Sequence, residues 1–178
     1  SFLDSGTSLA YNATNAATLA ASREFQNFNY NSTSSQNPLE VINAHKAYGY
    51  GLSGDGQVIA IMDTGFSTTH SEFDQKTITT FGTLDYADGS SASNDHGLFV
   101  AGIAAAENDD NAVGDGGTIQ GVAPSANLHL SSYNKINGNS YYPTHWANAT
   151  NDASNAVVQN NSWGINYQID SLKSDISS

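Results

Sequence analysis

Five consecutive apolar residues, Val58-Ile59-Ala60-Ile61-Met62, run directly into Asp63-Thr64-Gly65. A run this short and without polar alternation predicts a strand buried on both faces, the kind found in parallel sheets covered by helices. The surrounding pattern agrees. Thr77 to Phe81, Ala126 to Leu130 and Val157 to Asn160 read as further strands. A helix is expected from about His96 to Ala106, capped by Asn94 or Asp95. Another is expected from about Thr144 to Asn155, with Trp146, Ala149 and Ala153 on one face. Pro38 to Tyr48 reads as a short amphipathic helix with Leu39, Ile42, Ala44 and Ala47 inward, followed by turns at Gly49, Gly51, Gly54 and Gly56. Strands alternating with helices predict an α/β domain over residues 37–178. Residues 1–36, rich in Asn, Ser, Thr and Ala, read as an extended or poorly ordered lead-in, with a weak helical pattern near Leu9 to Phe25.

In open parallel sheets ligands bind at the carboxyl ends of the strands, and Asp63 stands at such an end. A carboxylate emerging from five apolar residues needs a partner, because an unpaired buried charge is costly. His96, in the first turn of an Ala- and Gly-rich helix, is the candidate. Gly97 and Gly102 each cost that helix about 1 kcal/mol of propensity, a cost that makes sense if the helix packs very close to its neighbours.

The other classes of function find little support. The chain has 17 Asp plus Glu against 5 Lys plus Arg, a formal net charge of −12. It offers no basic surface for nucleic acid. Cysteine is absent, which removes disulfides, thiolate zinc sites and a cysteine nucleophile. No Gly-x-Gly-x-x-Gly or Gly-Lys-Ser loop follows the first strand, which disfavours a nucleotide-binding domain. No run approaches the ~18 apolar residues of a membrane span, and the first thirty residues lack the features of a signal peptide. The chain starts at Ser1 without an initiator Met, as a processed product or a fragment would. His45, His70, His129 and His145 fit no ligand spacing with one another and read as structural or surface residues.

Ile61-Met62-Asp63-Thr64-Gly65 resembles the aspartate motif of the subtilase family, the subtilisin-like serine proteases. His96-Gly97-Leu98-Phe99-Val100-Ala101-Gly102, 33 residues on, is similar to its histidine motif. Gly121-Val122-Ala123-Pro124, followed by Ala126 and Leu128, resembles the segment after the histidine helix. Val158 to Gly164 resembles the strand that walls the specificity pocket. The resemblance runs from about Leu39 to Gly164. It implies a three-layer, doubly wound parallel sheet, incomplete at the C-terminus, and peptide-bond hydrolysis by an Asp-His-Ser triad. By that resemblance Asp63 orients His96, His96 is the general base, and Ser162, Trp163 and Gly164 bind an extended peptide. The family's serine and oxyanion-hole asparagine lie well beyond the wall, so the expectation is that this chain lacks its nucleophile and is inactive alone. The alternative is a non-catalytic, peptide-binding relative.

The resemblance implies no cofactor for catalysis. Structural calcium is expected, if at all, at Glu72 with Asn108 and Asp110, in a loop that otherwise reads as solvated acidic chain. Glu24-Phe25, Leu39 to Ala44, Ala47-Tyr48-Gly49-Tyr50 and Gly54-Asp55-Gly56 look like the entry to autotransporter-type subtilases of Gram-negative bacteria. That implies a secreted or cell-surface protein, held at the outer membrane only through parts outside this chain. Two departures stand out. Leu98 replaces the usual Thr of the histidine motif. Gly6-Thr7-Ser8-Leu9-Ala10 mimics the serine motif at the wrong end of the chain; it reads as a chance tripeptide, the alternative being a permuted arrangement that brings Ser8 near His96. Oligomeric state has no signature in the sequence.

Overall fold

The computed structural model describes residues 10–20, 38–87, 89, 94–107, 120–133 and 142–164. Among the described residues, four strands, β1 (Val58–Asp63), β2 (Ile78–Phe81), β3 (Asn127–Ser132) and β4 (Val158–Asn160), form one sheet in the order β2-β3-β1-β4. Every pairing is parallel. The register sets Ile59 beside Leu128 and Ile61 beside Leu130. Parallel partners share a face, and successive residues alternate between faces. Ile59, Ile61, Leu128 and Leu130 therefore project to one side, where they meet Phe66, Phe73, Leu84, Ala101 and Ala105 in the core. Ile61, Leu128 and Leu130 are fully buried, each contributing about 1.5–3 kcal/mol by leaving water.

The described residues include five helices: α1 (Ala13–Ala20), α2 (Pro38–Val41), α3 (Ala44–Gly49), α4 (His96–Ala105) and α5 (Tyr142–Asp152). Helix α4 lays Ala101 and Ala105 onto the Ile61/Leu130 face. Helix α5 covers the opposite face, where its His145 lies 5.7 Å from Phe81 and its Asp152 lies 3.6 Å from His129. The result is the expected α/β layering of helix, parallel sheet and helix.

Two local expectations change. The helix predicted over Pro38 to Tyr48 is broken into α2 and α3, because Asn43 adopts the left-handed conformation (φ 59°), which few residues other than Gly and Asn tolerate. The break turns Ile42 out to solvent instead of inward, while Leu39, Ala44 and Tyr48 form a small core of their own. The Tyr48 hydroxyl donates to the carbonyl of Val122 at 3.0 Å, and burial pushes its pKa up to about 12. Helix α1 occupies Ala13–Ala20 and lies against α3, with the Asn12 amide donating to the Gly49 carbonyl at 2.6 Å.

Candidate active site

The ladder ends of β1 and β3 come level at Asp63 and Ser132. The side chain of Asp63 points to the α4 face and is 1% exposed. His96 opens α4 directly above it, and Nδ1 of His96 donates to Oδ1 of Asp63 at 2.9 Å. The same oxygen accepts the Thr64 amide at 2.8 Å. Oδ2 is buried without a hydrogen bond among the described residues, so the imidazole and the Thr64 amide, both on Oδ1, stabilise the carboxylate. The imidazole is 42% exposed. An ionised carboxylate only accepts, so the shared proton sits on Nδ1 and the lone pair sits on the outward Nε2. An imidazole held in that tautomer can take a proton from a hydroxyl and later return it.

The sequence folds this way because the loop after β1 and the start of α4 interlock. The amides of Gly97 and Leu98 donate to the carbonyls of Thr64 and Gly65 at 2.6 and 2.8 Å. These are orphan amides of a helix first turn, satisfied here by backbone from the aspartate loop. Asp95 does not cap α4 with its side chain as expected; its carboxylate instead accepts the Gly89 amide at 3.2 Å. Any Cβ at Gly65, where φ is 75°, would fall 1.6 Å from the Asn94 carbonyl oxygen. A Cβ at Gly97 would meet Phe66 at 2.7 Å and the Thr64 carbonyl at 2.8 Å. Gly102 departs from the expectation of close packing, since nothing lies within 4 Å of its notional Cβ. The tight contact at that end of α4 belongs to Gly121, whose Cβ would strike the amides of Ala105 and Ala106.

The predicted wall comes to the same edge. Ser162 and Gly164 are exposed and Trp163 is partly buried. The Trp163 indole N–H donates to the Met62 carbonyl at 2.7 Å, one residue before Asp63. Its ring stacks on Tyr133 with centroids 5.0 Å apart and meets Trp146 at 4.9 Å. Tyr133 and Trp146 were not singled out as site residues from sequence; the one available signal was that Tyr133 directly follows the end of a parallel strand. Asp85 also enters the site, accepting the Thr64 hydroxyl at 3.1 Å and donating its own amide to Ser132 Oγ at 2.8 Å.

Glu72 is buried in a 3-10 turn, Ser71–Phe73, and its carbonyl accepts the Glu107 amide at 3.1 Å. Asn108 and Asp110, the other residues expected at a calcium site, lie outside the described residues, as do Ser8 and Glu24-Phe25. Among the described residues no three His, Cys, Asp or Glu side chains gather as a metal site would require. No described helix is long and apolar enough to cross a membrane.

Residues 54–178 match the profile of the subtilase family, peptidase S8. The chain belongs to the subtilase family. This subtilase chain is 35% identical over 134 residues to an extracellular serine protease of Serratia marcescens, covering 71% of the chain and 11% of that protein. It is 42% identical over 73 residues to a thermophilic serine proteinase of Bacillus sp. (strain AK1), covering 41% of the chain and 17% of that protein. The subtilase chain thus spans a small part of the length of either relative. Its fold is shared with the psychrophilic subtilisin-like protease Apa1 of Pseudoalteromonas sp. AS-11 (TM-score 0.51, 21% identity, 71% of this chain and 29% of that one). It is shared also with a serine protease of Aeromonas sobria solved in complex with a chaperone (TM-score 0.52, 22% identity, 75% of this chain and 24% of that one). These solved structures support the α/β subtilisin-like architecture.

Proposed function

We propose that this chain supplies the orienting acid and the general base of a serine endopeptidase. Asp63 holds His96 in the Nδ1–H tautomer, and His96 Nε2 takes the proton of a serine hydroxyl as it attacks the peptide carbonyl. The imidazolium formed is stabilised by the buried carboxylate, then gives its proton to the leaving amine. The single observation carrying this reading is the 2.9 Å bond between a buried Asp63 and a half-exposed His96. The serine itself is proposed to come from the longer protein, beyond this chain. The substrate is a peptide or protein that lies extended along the exposed backbone at Ser162, Trp163 and Gly164, in the manner of an added strand. The extracellular setting of the Serratia relative supports secretion or display at the cell surface. The autotransporter-like entry supports outer-membrane attachment through other parts of the protein. Catalysis by this route needs no cofactor.

The test is fluorophosphonate labelling together with peptide hydrolysis. The full-length protein should label and hydrolyse, and the isolated chain should do neither. His96→Ala in the full-length protein should lose about 10²- to 10⁴-fold or more in kcat through loss of the general base. Wild-type hydrolysis in that variant would overturn the reading. Calcium, if it binds, would use the buried Glu72 carboxylate with Asn108 and Asp110, all hard oxygen donors. Millimolar calcium is then expected to raise the melting temperature, and Glu72→Gln to abolish the rise; an unchanged melting temperature contradicts calcium binding.

A further inference from the structure

The carbonyls of β1 alternate between its two neighbours. Gln57 and Asp63 accept amides from the β3 side, Asn127 and Tyr133, while Val58 accepts the Val157 amide from the β4 side. By that alternation the Met62 carbonyl faces β4, yet β4 ends at Asn160 and its last pair is Ile61 with Asn160. The side chain of Trp163 returns to the vacant ladder position and donates its indole N–H to Met62 at 2.7 Å. On the other side the Tyr133 amide donates to the Asp63 carbonyl at 3.0 Å. The Tyr133 carbonyl in turn accepts the Trp146 indole N–H at 2.9 Å. The two indoles touch, with centroids 4.9 Å apart, and Tyr133 stacks on Trp163. Two consecutive peptide carbonyls of β1 are thus anchored from opposite sides into one aromatic cluster, and the second belongs to Asp63.

We propose that Trp163 and Trp146 are positioning residues that brace the end of β1, fixing where the Asp63 carboxylate stands beneath His96. Both indole N–H groups are spent on backbone carbonyls, the two rings meet each other, and the Trp163 ring also stacks on Tyr133. Both indoles are partly buried. The brace matters because a hydrogen-bonded catalytic pair must be held within about 0.5 Å of its working geometry, and the last residue of a strand has a partner on only part of its backbone. The inference rests on the reading of Asp63 and His96 as orienting acid and general base.

Trp163→Phe and Trp146→Phe in the full-length protein test it, beside His96→Ala. Each substitution keeps an aromatic ring and removes one indole N–H. The indole pair should give the wild type an exciton couplet in the far-ultraviolet circular dichroism, absent from both variants; no couplet in the wild type would overturn the cluster. Each variant should lose on the order of tenfold in kcat, with KM within about twofold. A subsite role would instead raise KM and leave kcat unchanged, and that result overturns the brace. Trp146→Phe carries the test if Trp163→Phe does not fold. Unchanged kcat in both folded variants with an inactive His96→Ala refutes the brace and leaves the catalytic reading standing. An active His96→Ala refutes both.

Discussion

At the scale of single residues, the site is built on an asymmetry of exposure. Asp63 is buried and His96 is half open, so one end of the imidazole is fixed by protein while the other meets whatever enters. That pairing was legible in sequence because a carboxylate closing an apolar strand has few ways to be satisfied. The glycines of α4 were legible only in part. Gly97 is held by contact with Phe66 and the Thr64 carbonyl, whereas Gly102 has open space around it, a difference made by tertiary neighbours that no helical pattern encodes. Gly97→Ala is therefore expected to destabilise by about 1–3 kcal/mol through overpacking. Gly102→Ala should stabilise by roughly 0.5–1 kcal/mol through helix propensity alone. Urea denaturation of the two variants checks this, and equal shifts of the same sign would contradict the packing account. At Leu98, which departs from the family motif, the backbone amide donates to the Gly65 carbonyl, and the Gly97 amide before it donates to Thr64.

At the scale of elements, β1 and β3 were readable because burial along the strand forces short apolar runs, and α4 because an apolar Ala- and Gly-rich stretch begins at His96. The break between α2 and α3 was not, since one Asn adopting a left-handed conformation erases an otherwise continuous apolar stripe. The aromatic cluster at the strand ends was also hidden, as its members come from three separate segments. The β3–α5 layer carries its own prediction. His129 is buried between them, 2.9 Å from the Thr79 hydroxyl and 3.6 Å from Asp152. Burial lowers its pKa from the ordinary 6.5, with Asp152 opposing the shift. The unfolded chain then binds a proton more readily than the folded one, so this contribution to stability is present above about pH 6.5. It is lost as pH falls from there through the folded value. Comparing urea unfolding at pH 7.5 and 5.5, the wild type should lose more stability on acidification than His129→Gln. Equal losses would contradict it.

At the scale of the whole molecule, the chain places the hydrogen-bonded Asp63–His96 pair at the carboxyl edge of a parallel sheet, with Trp163 anchored beside it. Val157 and Val158, at the start of the edge strand β4, are more than half exposed among the described residues. The acidic composition agrees with a polar, soluble surface and contributes nothing to the choice of fold. Everything functional in the account depends on which nitrogen of His96 carries the proton. The direct measurement is long-range ¹H–¹⁵N correlation NMR of the imidazole at a pH where it is neutral. The account predicts the proton on Nδ1 and a bare Nε2, with Asp63→Asn moving the proton to Nε2. A neutral His96 protonated on Nε2 in the native protein would contradict it.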